Sequence, residues 1–247
     1  MMNSIPFRLT AALALAACVS SAAPPLVKTV NLGPQPPFLS PQQIAMAPAA
    51  NRIYIFNGPP AASAEIGVVD TTAGLFLAAL QPAVGNMTLA GLSDPRHSVS
   101  GFAVNTATNR LFAAYTGPAS GVLVVIDTTT DSIVQTVSLA GPVMNVALNP
   151  STNKLYVMLG GPSGSAQLAV LDGTSLTQTA LISGLEAGPL TVNPANNKIY
   201  AALPGPSFAV AVINGSGDII SATVPMPGDT WDLMLNPVTN NVYAKAP

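Results

Sequence analysis

The chain has 247 residues, a net charge of −2 and only 7% charged side chains against 49% hydrophobic ones. A chain so poor in charge carries no basic stripe for nucleic acid and no acidic tail, so electrostatics sets aside a nucleic-acid binder and names no partner. A single cysteine forms no internal pair, which excludes a disulfide scaffold.

In chain order, Met1 to Ala23 begins with a short polar stretch containing Arg8, runs apolar from Leu9 to Ala17 and ends in small residues. This is the layout of a secretory signal rather than of a membrane span. Inside it, Leu15-Ala16-Ala17-Cys18 resembles the lipobox of bacterial lipoproteins, which implies a lipid on Cys18 once that residue becomes the new N-terminus. Ordinary cleavage after Ala22 stays open, because Ser20 and Ala22 are also small at the required offset. The expected division is a signal over 1–18, or 1–22 with ordinary cleavage, then a short tether over 19–25 and one repeat domain over 26–247. The expected address is the periplasm or cell envelope, with membrane contact only through a lipid on Cys18, or otherwise secretion.

From Leu26 to Gly33 the chain reads as a strand, with counterparts at 133–139 and 219–225, each closing a unit just before a glycine. The chain therefore starts on the last strand of a unit. Next comes the first of five polar corners, Ala47-Pro48-Ala49-Ala50-Asn51-Arg52-Ile53-Tyr54. It returns as Asn105 to Phe112, Asn149-Pro150-Ser151-Thr152-Asn153-Lys154-Leu155-Tyr156, Asn193 to Tyr200 and Asn236 to Tyr243. Proline sets φ for a turn, Ser and Thr bond nearby amides, and the second Asn tolerates the left-handed conformation of a tight reversal. The aromatic falls at 54, 112, 156, 200 and 243, a period near 44 residues broken by one insertion. A strand such as Leu155 to Leu159, apolar on both faces, needs cover on both sides. A third run in each unit ends at Asp70, Asp127, Asp172 or Asn214, followed by small polar residues that signal another turn.

Four short antiparallel strands in a unit of this length are the content of a β-propeller blade. The fold expected is therefore all-β, a propeller with four complete four-stranded blades. A partial blade would be shared by the two termini, from 231–246 and the strand at 26–33. That shared blade lacks its third strand, and the expectation is an incomplete or truncated ring. The pattern N-P-x-T-N-[KR]-[ILV]-Y followed by V-x-V-[IL]-D resembles the YVTN-type β-propeller repeats of exported bacterial and archaeal proteins, over about residues 26–247. It departs after Tyr156, where Val157-Met158-Leu159 stand in place of Val-Thr-Asn. The resemblance implies an envelope propeller and carries over no catalytic set.

The loops between second and third strands, at Gly58-Pro59, Gly117-Pro118, Gly161-Pro162 and Gly205-Pro206, offer backbone and little else. The insertion from Gln81 to Ser98 holds Asp94, Pro95, Arg96 and His97, the only histidine in the chain. Long loops on rigid scaffolds often carry sites, so Asp94, Arg96 and His97 are the catalytic candidates, with Ser98 and Ser100 nearby. Trp231 and Asp232, where an inner strand begins, are the binding candidates, and the expectation for Trp231 is a packed side chain. One His with one Asp falls short of a metal site, and no haem, phosphate-loop or dinucleotide motif occurs, so no metal or cofactor is expected. Arg52, Arg110, Lys154 and Lys198 share one place after the corner Asn and read as solvated strand starts. Asp70, Asp127 and Asp172 read as turn-formers. Glu65 and Glu186 fall in different units and suggest no carboxylate pair. The function expected is a non-catalytic binding or interaction scaffold for an unknown protein, peptide or glycan. The alternative is a lactonase-type hydrolase, with Asp94, Arg96 and His97 helped by Asp232.

Overall fold

The structure, a computed structural model, describes residues 41–57, 66–70, 75–80, 98–117 and 119–246. The expected signal, Cys18, the tether and the strand at 26–33 lie outside the described residues, as do Asp94, Arg96 and His97. The described chain is all-β. The first sheet holds β1 (Pro41–Ala47), β2 (Arg52–Asn57), β3 (Ile66–Asp70) and β4 (Leu75–Leu80), and the second holds β5 (Ser98–Asn105), β6 (Arg110–Thr116), β7 (Gly121–Asp127) and β8 (Ser132–Leu139). The third comprises β9 (Val143–Asn149), β10 (Lys154–Gly160), β11 (Ser165–Asp172) and β12 (Gln178–Glu186). The fourth comprises β13 (Leu190–Asn193), β14 (Lys198–Leu203), β15 (Ala209–Asn214) and β16 (Ile219–Pro225), and the last pairs β17 (Asp232–Asn236) with β18 (Asn241–Lys245). Every strand pair is antiparallel between sequence neighbours, so each blade is a meander made from one stretch of chain.

The first strands β1, β5, β9, β13 and β17 touch in that order and form an inner arc. The second strands β6 and β10 are buried on both faces because each lies between two neighbouring blades. On β10 all residues from Leu155 to Leu159 are buried. Tyr156 and Met158 face forward, against Ile199, Ala201 and Ile213 of the fourth blade. Leu155, Val157 and Leu159 face backward, against Phe112, Ala114 and Val125 of the second. Each large apolar side chain so placed contributes roughly 2 kcal/mol. The same division joins the first blade to the second through Tyr54 and Val68 packed on Leu111, Ala113 and Val124. Leu233, Val242 and Ala244 of the last sheet pack backward on Ala202 and Val210. The outermost strand β16 is exposed along its length.

The corners between first and second strands share a conformation. Asn51, Asn109, Asn153, Asn197 and Asn240 have φ of 54°, 52°, 52°, 52° and 57°, the left-handed region where Asn is least strained among side-chain-bearing residues. The asparagine four residues before three of these has a different task. Asn105, Asn149 and Asn193 are buried at the ends of their inner strands. Asn149 Oδ1 accepts from Ser151 N–H at 3.0 Å, while its Nδ2 donates to Oδ1 of Asn197 in the next blade at 2.8 Å. Asn105 repeats this, accepting from Ala107 N–H at 3.0 Å and donating to Asn153 Oδ1 at 2.7 Å. Asn193 accepts from Ala195 N–H at 3.0 Å and donates to the backbone oxygen of Asn240 at 3.5 Å. The receiving amides need room: a Cβ on Gly173 or Gly215 would stand 2.4 or 2.3 Å from Oδ1 of Asn153 or Asn197.

Replacing Asn149 by Ala removes both bonds and strands the corner amide, so the expected loss is about 2 kcal/mol in a denaturant melt. At the half-buried Asn236, whose Oδ1 bonds only its own turn, the same change is expected to lose under about 1 kcal/mol.

Candidate functional site

Two of the corner cations are structural clamps, which corrects their reading as solvated strand starts. Arg52 donates to Asp70 at 2.8 Å within its own blade and to Asp131 at 3.0 Å in the next, and Tyr54 Oη donates to the other oxygen of Asp131 at 2.6 Å. The bond to Asp131 holds the Arg52 guanidinium more firmly protonated than usual. Burial, then the hydrogen bond to Asp131, pushes the Tyr54 phenol far upward. Lys154 likewise reaches Asp218 at 2.7 Å and the Gly215 carbonyl at 2.8 Å in the following blade. Near it, the Tyr156 hydroxyl and Asp218 Oδ1 are buried without a partner among the described residues, and burial raises the Tyr156 phenol. Between the second and third blades the same positions hold Phe112 and Leu176, both buried and apolar. Lys198 is exposed, as expected.

Asp127 and Asp172 are turn-formers, as expected. Asp127 accepts from the hydroxyl of Thr129 at 2.6 Å and from its backbone amide at 2.9 Å, which together hold its carboxyl below the ordinary value. Asp172 is lowered by the amides of Ser175 at 2.8 Å and Thr174 at 3.0 Å and by the Ser175 hydroxyl. Asp70 also pairs with Arg52 at 2.8 Å, and the turn that follows it lies outside the described residues.

One end of the sheets gathers the remaining polar and aromatic candidates. The inner strands begin there and the second strands end there, so antiparallel order puts the β14–β15 loop and the start of β17 at the same rim. Glu186, at the end of β12, accepts from Gly205 N–H at 2.8 Å and Ser207 Oγ at 2.5 Å, fastening that loop to the previous blade. A Cβ on Gly205 would lie 3.3 Å from the Phe208 ring and 3.5 Å from Asp229 Oδ1, so ring and carboxylate flank one loop. Phe208 is 42% exposed.

Trp231 is 61% exposed, which overturns the expectation of a packed side chain. Its backbone amide donates to the Lys245 carbonyl at 2.8 Å, and its neighbour Thr230 is buried with Oγ1 unpartnered among the described residues. Chain geometry explains the reversal: Thr230 and Leu233 take the buried positions and leave the indole outside them. Asp232 is exposed, with its Oδ1 on Leu233 N–H at 2.9 Å. Of the hydrolase set, Asp232 alone lies among the described residues. Ser100 is half-buried and bonds the Val143 carbonyl at 2.5 Å. Among the described residues no three His, Cys, Asp or Glu side chains gather as metal ligands. The rim thus offers aromatic surface and carboxylates. Sequence reading missed Phe208 and Asp229, since only folding brings them to Gly205.

Comparison with solved structures identifies the architecture. This is a β-propeller fold. The chain is similar to the β-propeller domain of Cps50 (Swd1) from Myceliophteria thermophila, with a TM-score of 0.63 and 11% identity over 83% of this chain and 62% of that one. It is also similar to hydrazine synthase of Kuenenia stuttgartiensis, with a TM-score of 0.65 and 14% identity over 84% of this chain and 56% of that one. The propeller therefore spans less than two thirds of the length of either. No family model matches it, and no curated protein matches it in sequence.

The two phenols give a contrast to measure. Tyr54→Phe removes a charge-assisted bond and is expected to cost about 1–2 kcal/mol by thermal or denaturant unfolding. Tyr156→Phe deletes a buried hydroxyl that has no partner among the described residues, so it is expected to be neutral or stabilising by up to about 1 kcal/mol. Equal losses in the two variants would contradict the assignment.

Proposed function

We propose that this chain is a non-catalytic β-propeller of the cell envelope that acts as a binding scaffold, and that the rim of Phe208, Asp229, Trp231 and Asp232 is its contact surface. One observation carries the reading: the single tryptophan of the chain stands 61% exposed at a blade rim, with Asp232 next to it in sequence and Asp229 two residues before it. A large exposed indole gives a flat apolar platform, and an aromatic face next to carboxylates suits a cationic group, worth about 0.5–2 kcal/mol per ring contact. The partner class that follows is a peptide or protein segment presenting Lys or Arg. The envelope address rests on the layout of residues 1–23, and kinship with the YVTN-type repeats rests on the corner pattern.

Because Trp231 is the only indole, its fluorescence reports the site directly. A basic peptide is expected to shift the emission of the intact protein, and Asp232→Asn is expected to weaken that binding roughly three- to tenfold. Trp231→Phe is expected to leave the melting temperature unchanged while weakening capture of the same peptide on a surface. An equal response to an acidic peptide, or none to a basic one, would reject this rim as the site. The address has its own test: cells fed labelled palmitate are expected to label the protein, and Cys18→Ser is expected to abolish the label. Label retained in that variant would remove the lipobox reading.

A further inference from the structure

We infer that the open face of the β17–β18 sheet docks a second copy of this chain, against the backward face of that copy's first blade, so that copies join head to tail. The proposal is independent of the rim site. Each packed boundary in the arc sets the forward face of one blade, centred on an aromatic at the corner position, against the backward face of the next. The two end faces are the two halves of one more boundary of that kind. On the last sheet Met234 and Tyr243 stand opposite each other across the strands, and they are 62% and 54% exposed. Their homologues Ala45 and Tyr54, paired in the same way, are buried. On the first blade Ile44, paired with Ile55, is 49% exposed and Ile53 is half-buried, whereas Leu111, Leu155 and Ile199 at the place of Ile53 are completely buried.

The polar groups choose the occupant. Asn236 has an amide with no acceptor among the described residues, at the place where Asn105 and Asn149 donate to the next blade. Asn51 is a left-handed corner asparagine whose side-chain oxygen has no donor among the described residues, at the place where Asn153 and Asn197 receive. Donor and acceptor are the free ends of one ladder. Charge agrees, since Asn241 occupies the position of Arg52 and Lys154, and this face demands no acid from its neighbour. Among the described residues the main contacts of the two end strands lie elsewhere: β17 packs beside β13 and β14, while β1 packs beside β2 and β5. A head-to-tail contact uses different surfaces on its two sides, so it adds copies until a ring closes or a filament grows.

The test is sedimentation velocity of the full chain at increasing concentration, with reductant present so that Cys18 forms no cross-link. Species larger than a monomer are expected, growing with concentration. Met234→Asp and, separately, Ile44→Asp are each expected to weaken association at least about tenfold, because every contact needs one intact face of each kind. Both side chains are solvent-facing in the single chain, and Tyr243→Ser repeats the first test without adding a charge. Mixing the Met234→Asp and Ile44→Asp chains is expected to restore a dimer and nothing larger. A monomer at every concentration would overturn the proposal. In that case, amide protection along β18 would point to a segment of the same chain such as 26–33 on this face, and lack of protection would point to no occupant. Failure of the mixture to dimerise would overturn it as well, by showing that like faces meet.

Discussion

The arc depends on one hydrogen bond made repeatedly: a buried asparagine amide at the end of an inner strand, given to the corner asparagine of the next blade. A buried amide without a partner is costly, so the bond constrains everything around it. It sets where each inner strand stops, because Asn105 and Asn149 cap their own turns with the same side chains that reach across. It requires a left-handed residue at the corner. It also leaves no room for a side chain at Gly173 and Gly215, which lie against the receiving amides. Apolar packing supplies most of the free energy, and the ladder makes the blades share one register.

A second layer of contacts distinguishes one boundary from another. The turn between third and fourth strands puts a left-handed residue beside the aromatic of the preceding blade: Asp131, Leu176 and Asp218, with φ of 52°, 57° and 52°. Asp131 meets a tyrosine and Leu176 accompanies a phenylalanine, so polarity is matched across the boundary. Exchanging the two would place a phenol against leucine or a carboxylate against a phenyl ring, each leaving a buried polar group unpaired. Tyr156 beside Asp218 follows the same pairing without closing the hydrogen bond. The blades look alike in sequence and are not interchangeable in space.

The strand pattern was legible because it is local. Corner asparagines, the apolar run of Leu155 to Leu159 and the Asp-ended third strands all lie within one unit, and the four complete blades and the final pair follow from their spacing. The clamps were not legible, since Arg52 meets Asp131 at a separation of 79 residues and Lys154 meets Asp218 at 64. A cation beside a turn gives no sign of such a partner. A comparison of blades would have found it, because an acid recurs at the fourth position after Asp127 and Asn214 and a leucine replaces it after Asp172. Trp231 was misread for a similar reason: sequence puts an indole at a strand start, and only the burial of Thr230 and Leu233 on either side shows that it points out.

Because every blade is a meander of consecutive strands, the main links among the described residues are either within a blade or to the blade beside it. Such an array folds and opens in steps, with local contacts forming before distant ones and stability adding from neighbour to neighbour. Among the described residues the β17–β18 sheet is held by a single neighbour, through Leu233, Val242 and Ala244, while the second and third blades are held on both sides. Opening therefore proceeds inward from the last sheet, and the amides of β6 and β10 are the last to exchange with solvent.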